Sequence, residues 1–179
     1  KQALAERVSA KPEAGKLLEY LYRRNLFIDR RSGKEPTYQY HDLFRQFLLE
    51  RARAIYTPLG LAQLRVRAAK MLAEDGQVED AIDLFRDAGE WRATSDLILQ
   101  WAQALLAQGR GQTLREWITS LPSEHVAQRP WLTYWLGTSV ISFDQADARR
   151  VLEFAYHEFK ADGDLLGQAS SVWGIAESV

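Results

Sequence analysis

From residue 60 onward, glycine- and proline-bearing breaks cut the chain into apolar-periodic segments of roughly 11–17 residues, and this punctuation is what most limits its fold. Leu61, Leu64, Ala68 and Leu72 share one face of a helix that stops at Asp75-Gly76. Val78, Ala81, Ile82, Phe85 and Ala88 form the next, stopped by Gly89. Trp91 to Leu106 follows, with Ile98, Trp101 and Leu105 on its face, and closes at Gly109-Arg110-Gly111. A shorter segment around Leu114, Trp117 and Ile118 ends at Leu121-Pro122. After Arg129-Pro130 the pattern restarts, with Trp131, Trp135, Leu136, Val140 and Phe143 on one helix and Ala148, Val151, Leu152, Ala155 and Phe159 on its partner. Asp162-Gly163-Asp164 then turns into a last helix through Trp173. Such a succession predicts stacked antiparallel helical hairpins.

The first sixty residues read differently. Pro12-Glu13 suits the first turn of a helix whose stripe is Leu17, Leu18, Leu21 and Tyr22. Leu26-Phe27-Ile28 is a short run of strand formers, Arg30 to Pro36 is a turn with Ser32-Gly33 at its tip, and Thr37-Tyr38-Gln39-Tyr40 is a second strand-like run. Two strands around a polar tip form a wing. At Asp42 the period changes to that of a helix, with Leu43, Phe44, Phe47, Leu48 and Ala52 on one face and an end near Pro58 and Gly60. The predicted fold class is therefore mainly α: a small winged-helix unit followed by antiparallel helical hairpins.

Composition excludes several classes of function. The 179 residues contain no cysteine, so disulfides, thiolate metal sites and a cysteine nucleophile are ruled out. No apolar run approaches the ~20 residues that span a bilayer, and the opening KQALAERVSAKPEAGK lacks a signal peptide's apolar core. A cytoplasmic setting without membrane contact fits both facts. Charge is asymmetric: residues 1–60 hold 12 Lys/Arg against 7 Asp/Glu, whereas residues 61–179 hold 11 against 17. The missing initial Met and the apolar-periodic run at the C-terminus suggest a fragment of something longer.

The hairpins carry a loose tetratricopeptide signature. Trp135-Leu136-Gly137 resembles the aromatic-Leu-Gly of a first repeat helix, and Trp173-Gly174 echoes it 37 residues later. Ala155 and Phe159 have the spacing of a second helix but lie too far after Gly137 for a regular repeat, so the array is a divergent, tetratricopeptide-like α-solenoid.

Together, Asn25-Leu26-Phe27 and Tyr38-x-Tyr40-His41-x-Leu43-Phe44-x-x-Phe47-Leu48 resemble the winged-helix segment of MalT-type regulators, large LuxR-family transcription activators of the STAND class of signal-transduction ATPases. Ala68-Ala69, Ala81-Ile82, Trp117-Ile118-x-x-Leu121-Pro122 and Arg129-Pro130-Trp131-Leu132 are similar to that family's helical arm leading into its tetratricopeptide sensor. The resemblance covers nearly the whole chain and implies three parts: a winged helix over 1–57, a helical arm over 58–128 and the start of the repeats over 129–179. It also implies a parent protein with an ATPase core that binds ATP or ADP and a separate DNA-binding domain. In that layout the partners of this segment are the ATPase core, an unidentified effector or protein on the helical array, DNA through the outside domain, and other copies on activation. The segment itself has no phosphate-binding loop, because Ala10 stands where the first glycine is required before Gly15-Lys16 and Leu17 follows in place of Ser/Thr. It is accordingly expected to be no enzyme and to hold no cofactor of its own.

Two sets of residues are candidates for function. The resemblance implies that His41, in Tyr40-His41-Asp42, contacts the β-phosphate of ADP in the parent protein. An imidazole at a helix start, beside free backbone N–H groups, is chemically suited to a phosphate. The plainer reading is that His41 starts the helix or packs under the wing while Asp42 caps it. Arg23, Arg24, Arg30, Arg31 and Lys34 surround the wing and suit either DNA phosphates or docking on the ATPase core, with Glu19, Asp29 and Glu35 interrupting the patch. The aromatics Trp131, Tyr134 and Trp135 read as packing between hairpins, with Trp131 and Trp135 on an interior seam. Asp144, Asp147, Asp162 and Asp164 read as helix caps and turn residues. His125 and His157 lack partners at metal-ligand spacing. The expected function is the middle segment of a transcriptional activator, coupling sensing by the helices to a nucleotide-controlled switch. The alternatives are a protein-binding scaffold or direct DNA binding by the winged helix.

Overall fold

A computed structural model describes residues 2–31 and 36–178. The chain divides into two compact units, residues 1–89 and 90–179. The first holds α1 (Gln2–Ser9), α2 (Ala14–Arg23), β1 (Ile28–Arg31), β2 (Thr37–Tyr40), α3 (Asp42–Ile55), α4 (Pro58–Glu74) and α5 (Val78–Asp87). The second holds α6 (Trp91–Ala107), α7 (Gly111–Thr119), α8 (Ser123–Ala127), α9 (Pro130–Val140), α10 (Gln145–Asp162) and α11 (Leu165–Glu177). The fold is mainly α, with one two-stranded sheet among the described residues.

In the first unit β1 and β2 pair antiparallel, with Ile28 opposite Tyr40 and Arg31 opposite Thr37. The first strand begins two residues later than the sequence pattern predicts, because Leu26 and Phe27 are used to end α2. Asn25 takes a left-handed conformation (φ 51°), its N–H donates to the Tyr22 carbonyl at 2.9 Å, and the Leu26 N–H donates to the Leu21 carbonyl at 3.0 Å. These paired bonds satisfy two of the carbonyls a helix leaves open at its C-terminus. Phe27 (φ 58°) completes the reversal, and its carbonyl accepts from the His41 N–H at 2.9 Å, closing the base of the hairpin. Glu19 on α2 fixes the sheet in place: Tyr38 Oη donates to its carboxylate, Arg23 Nε donates to its other oxygen at 2.9 Å, and Gln2 Nε2 donates to Tyr38 Oη at 3.1 Å. These bonds hold the Glu19 carboxyl below its ordinary range, Tyr38 contributing most and Arg23 next.

Pro58 and Gly60 do more than end α3. Thr57 caps α4 by accepting the Gly60 N–H at 3.1 Å, and Pro58 occupies the first turn, where its missing N–H costs nothing. Helices α4 and α5 then form a hairpin over Ala69, Leu72, Val78, Ala81, Ile82 and Phe85. The stop between them depends on Gly76 (φ +74°), whose N–H and that of Gln77 bond back to Ala73 and Leu72. Helix α1, which the sequence pattern did not single out, joins α4 through Arg7 and Glu74 at 2.7 Å.

The second unit is built on a core of Ile98, Ala102, Leu105, Leu114, Ile118, Leu132, Leu152, Ala155 and Phe159. Its close approaches depend on glycine. A Cβ on Gly137 of α9 would lie 2.7 Å from Leu152 Cγ of α10, and one on Gly174 of α11 would lie 3.0 Å from Leu152 Cδ1. The two glycines read as a repeat echo thus meet on one leucine. The seam of α9 is not the predicted one: Leu132, Gly137 and Val140 are buried, while Trp131 and Trp135 are only half-buried. Trp131 instead spans to the following helices, with its ring 5.0 Å from Phe159 and its Nε1 donating to Asp164 at 3.1 Å. Helix α9 also stops before Phe143, which is largely exposed, since the N–H groups of Phe143 and Asp144 both turn back onto the Val140 carbonyl at 2.9 Å. Asp144 and Asp164 cap α10 and α11 through the N–H groups of Asp147 and Gly167, each at 2.9 Å. Asp147 instead pairs with Arg150, and Asp162 ends α10 at the predicted turn.

Candidate functional site

The junction between wing and helix is built from consecutive residues with alternating directions. Tyr40, last in β2, turns inward and meets Phe44 edge-on at 5.6 Å. His41 follows as the N-cap of α3 (φ −59°, ψ 146°), and its side chain makes no capping bond. Asp42, read from the sequence as the cap, is instead the first helical residue, because the strand's last hydrogen bond holds His41 in extended conformation. The first-turn N–H groups of α3 therefore have no side-chain acceptor from the cap, which leaves a partial positive charge at that end. The imidazole is half-exposed, and its Nε2 lies 3.2 Å from Asp29 Oδ2 across the wing.

An open apolar surface adjoins this end. Phe27, Phe44 and Phe47 form a ring cluster at 5.4 and 6.2 Å spacings, with Leu43 beside them. Leu43 is 83% exposed and Phe47 57%. The stripe predicted to face a core thus lies mostly open: α3 has no buried residue, and Phe44, Leu48 and Ala52 are its half-buried positions among those named. His41, Asp42, Leu43, Phe44 and Phe47 together with Phe27 line one shallow hollow.

The basic residues of the wing do not converge. Arg23 is paired with Glu19. Arg24 lies over the Tyr20 ring at 5.5 Å, and Arg30 lies over the Tyr22 ring at 5.9 Å. Strand alternation puts Arg31 on the face opposite Arg30, beside Asp29 and the direction taken by His41. Lys34 lies outside the described residues. Three of these cations are thus spent on α2, where their stems and guanidinium groups cover tyrosine rings or satisfy a carboxylate.

Asp29 was legible in the sequence only as a break in the basic run, and its partnership with His41 depends on strand register. The exposure of Phe27 and Leu43 was equally hidden, since periodicity marks a face without saying what covers it. Among the described residues no group of three or more metal-ligating side chains occurs, and no helix is long and apolar enough to cross a membrane. His125 packs at 6.4 Å from the Trp91 ring and His157 at 5.6 Å from that of Tyr156.

Residues 1–58 match the family model described as the MalT winged helix domain. The chain is 31% identical over 140 residues to proteins named HTH-type transcriptional regulator MalT from Yersinia pestis (strain Pestoides F) and Yersinia pseudotuberculosis serotype O:1b (strain IP 31758). That alignment covers 76% of this chain and 15% of each relative. It is also 30% identical over 116 residues to the serine/threonine-protein kinase PknK of Mycobacterium tuberculosis (strain CDC 1551 / Oshkosh), covering 63% of this chain and 10% of that protein. The chain therefore spans only a small part of the length of the curated relatives it matches. No solved structure matches it.

Proposed function

We propose that this chain, which belongs to the MalT type and whose residues 1–58 are a MalT winged helix domain, is the middle of a transcriptional regulator that couples sensing to a nucleotide-controlled switch. The observation that carries the reading is His41, standing at an N-terminus of α3 that it leaves uncapped, at the edge of an open apolar surface. A half-exposed imidazole donor and unspent first-turn N–H groups fit a phosphate, and Phe27, Leu43 and Phe47 fit a neighbouring protein surface. In the longer protein the winged helix then acts as a latch on an ATPase core, and His41 holds the phosphates of bound ADP when the latch is shut. The nucleotide would supply the charge that makes the shut state depend on its presence. This chain has no phosphate loop and contributes the latch without hydrolysis.

Asp29 enters the same reading as a competitor. Its carboxylate lies 3.2 Å from the imidazole Nε2 in the free wing, so a phosphate must compete with it. The helical units supply the sensing side, and an effector or partner protein shifts the switch only by binding the open state better than the shut one. DNA is contacted through a domain outside this chain, and self-association follows release. Direct DNA contact by the wing draws no support from the geometry, because Arg23, Arg24 and Arg30 are folded back on α2.

The test is His41→Ala in the full-length protein. Faster loss of bound ADP together with higher basal transcription is the expected result. Unchanged ADP retention and unchanged basal transcription would sink the latch.

A further inference from the structure

The second unit has an apolar groove of about 760 Å³ that the winged-helix reading does not use. It exists because α8 is only five residues long. It packs on α9, whereas α10 on the other side of α9 has eighteen residues, so α8 stops before it covers the neighbouring faces of α9 and α10. Ile118, Leu121 and Val126 form one wall, Leu136 the floor, and Val151 and Phe154 the other wall. Phe154 is left 58% exposed on a helix whose opposite face is fully buried.

The polar groups at this groove differ in what they have left to offer. The Thr119 hydroxyl is spent on the Arg115 carbonyl at 2.9 Å. Thr133 is buried, facing the Glu158 carboxylate. Glu153 is held by Arg149 Nε at 3.0 Å, and Asp147 by Arg150. Each of these two carboxylates thus has a cationic partner that offsets its charge. Arg150 uses one terminal nitrogen on Asp147 in an exposed pair, a weak interaction that leaves its other N–H donors open. His157 lies seven residues on, on the same face of α10, and has no hydrogen-bond partner among the described residues. Arg150 and His157 are therefore the two groups at this edge that can donate to an anion.

From these observations we propose that the groove between α8 and α10 binds a small amphipathic molecule, with an aliphatic body against Leu136, Val151 and Phe154 and a single anionic end against Arg150 and His157. The volume falls in the ~300–1,000 Å³ range of small-molecule sites. The aliphatic walls argue for a hydrocarbon body. They argue against a polyhydroxylated ligand, which needs many converging hydrogen-bond partners and loses affinity when its hydroxyls face apolar atoms. The inference goes beyond the regulatory reading and does not need it, since binding at this groove is read on the chain alone.

Decanoate is the probe, titrated calorimetrically into the 179-residue chain below its micelle concentration, with decanol as the uncharged counterpart. The expected result is saturable binding at one site per chain, with decanol roughly tenfold weaker, as loss of a charge-assisted hydrogen bond predicts. Leu136→Trp fills the floor and is expected to abolish binding. Val151→Phe narrows the same space from the other side and gives a second variant should the first misfold by circular dichroism. Leu165→Ser, which removes an exposed leucine of α11 outside the groove, is expected to leave binding unchanged. Arg150→Gln is expected to bring decanoate down to decanol's affinity. The proposal is overturned by absence of saturable decanoate binding, by retained binding in a folded Leu136→Trp or Val151→Phe chain, by loss on Leu165→Ser, or by equal affinities for decanoate and decanol. Failure of the His41 test leaves each of these outcomes unchanged, so the two proposals fall separately.

Discussion

Replacing Gly137 by alanine tests whether close backbone approach at Leu152 organises the second unit. In an ordinary helix interior the change gains about 0.8–1 kcal/mol, because glycine loses more backbone freedom on folding than alanine does. Here the added methyl would lie 2.7 Å from Leu152 Cγ and 3.0 Å from its Cδ2. Leu152 has no exposed surface and also abuts Gly174 of α11, so it has little room in which to give. Overpacking costs about 1–3 kcal/mol, and a hemmed-in leucine puts this site in the upper half of that range, so the net expectation is a loss of about 1–2 kcal/mol. Leu152→Ala alone should cost about 2–5 kcal/mol through lost contacts and the cavity left behind. In that background the Gly137 methyl meets no leucine, so Gly137→Ala should turn mildly stabilising, a coupling of about 2–3 kcal/mol between touching sites. Urea unfolding followed by tryptophan fluorescence measures this cleanly. All six tryptophans (91, 101, 117, 131, 135 and 173) lie in residues 90–179, so the signal belongs to this unit alone. A neutral or stabilising Gly137→Ala in the wild-type background, or the same effect in both backgrounds, would refute the close-approach argument.

Other outcomes follow from the hydrogen bonds and the buried groups. Asp164→Ala should cost about 1–2 kcal/mol, more than an ordinary cap, because the carboxylate accepts from both the Gly167 N–H and Trp131 Nε1; tryptophan-monitored urea unfolding gives the value, and a loss equal to that of Asp144→Ala would count against the second bond. The Glu19 carboxyl is held below its ordinary range, so its contribution to the first unit is complete above about pH 4.5 and is lost as pH falls through the folded value; Tyr38→Phe should flatten the acid limb of a far-ultraviolet circular dichroism pH titration, and an unchanged limb would refute it. Burial pushes the Glu158 carboxyl up, and the nearby Asp162 adds to the shift against the opposing hydrogen bond from Thr133. Its folded value lies above its unfolded one, so the stability it contributes is present at low pH and lost as pH rises; Glu158→Gln should stabilise the second unit at pH 7 and change little at pH 4, and the reverse order would refute it. In the longer protein, Asp29→Asn should free the His41 donor and slow ADP loss, with unchanged release arguing that Asp29 does not compete.

The helical hairpins were legible because their stops are chemical. Gly76, Gly89, Gly109 and Gly163 all sit at φ of +71° to +74°, where side chains are strained, and each falls at a break that the sequence marks. What periodicity does not tell is which stripe is covered. Trp131 and Trp135 have the helical spacing of a seam, yet Leu132 and Gly137 form it, because large rings cannot enter where two backbones approach over Leu152. The β1 boundary was misplaced for a similar reason. Leu26 and Phe27 have strand propensity, but Asn25 in the left-handed region commits them to ending α2. At the candidate site, His41 and the helix it opens could be read from the change of period at Asp42. Its contact with Asp29, and the folding back of Arg24 and Arg30 onto tyrosines, depend on strand alternation and side-chain reach, which no local pattern encodes.

The winged helix is poorly supplied with core of its own, and this bears on how a latch would work. Among its described residues Ile28 is the single buried hydrophobic side chain, while Leu17, Tyr20, Phe27, Leu43, Phe47 and Ile55 remain exposed. A domain in which most of the apolar stripe is open gains little stability from internal burial and much from whatever it docks against. Covering Leu43 and Phe47 alone is worth about 1.5–3 kcal/mol per side chain at full burial, comparable to the typical coupling energy between two sites. In the proposed latch an apolar surface would set how tightly the winged helix holds its partner, and His41 would make that hold depend on a phosphate. Leu43→Ser in the longer protein separates the two contributions: it should weaken the shut state with and without ADP alike, whereas His41→Ala should weaken it only when ADP is bound. Equal nucleotide dependence of the two variants, read from basal transcription and ADP release, would mean that phosphate sensing and docking are not divided between these side chains.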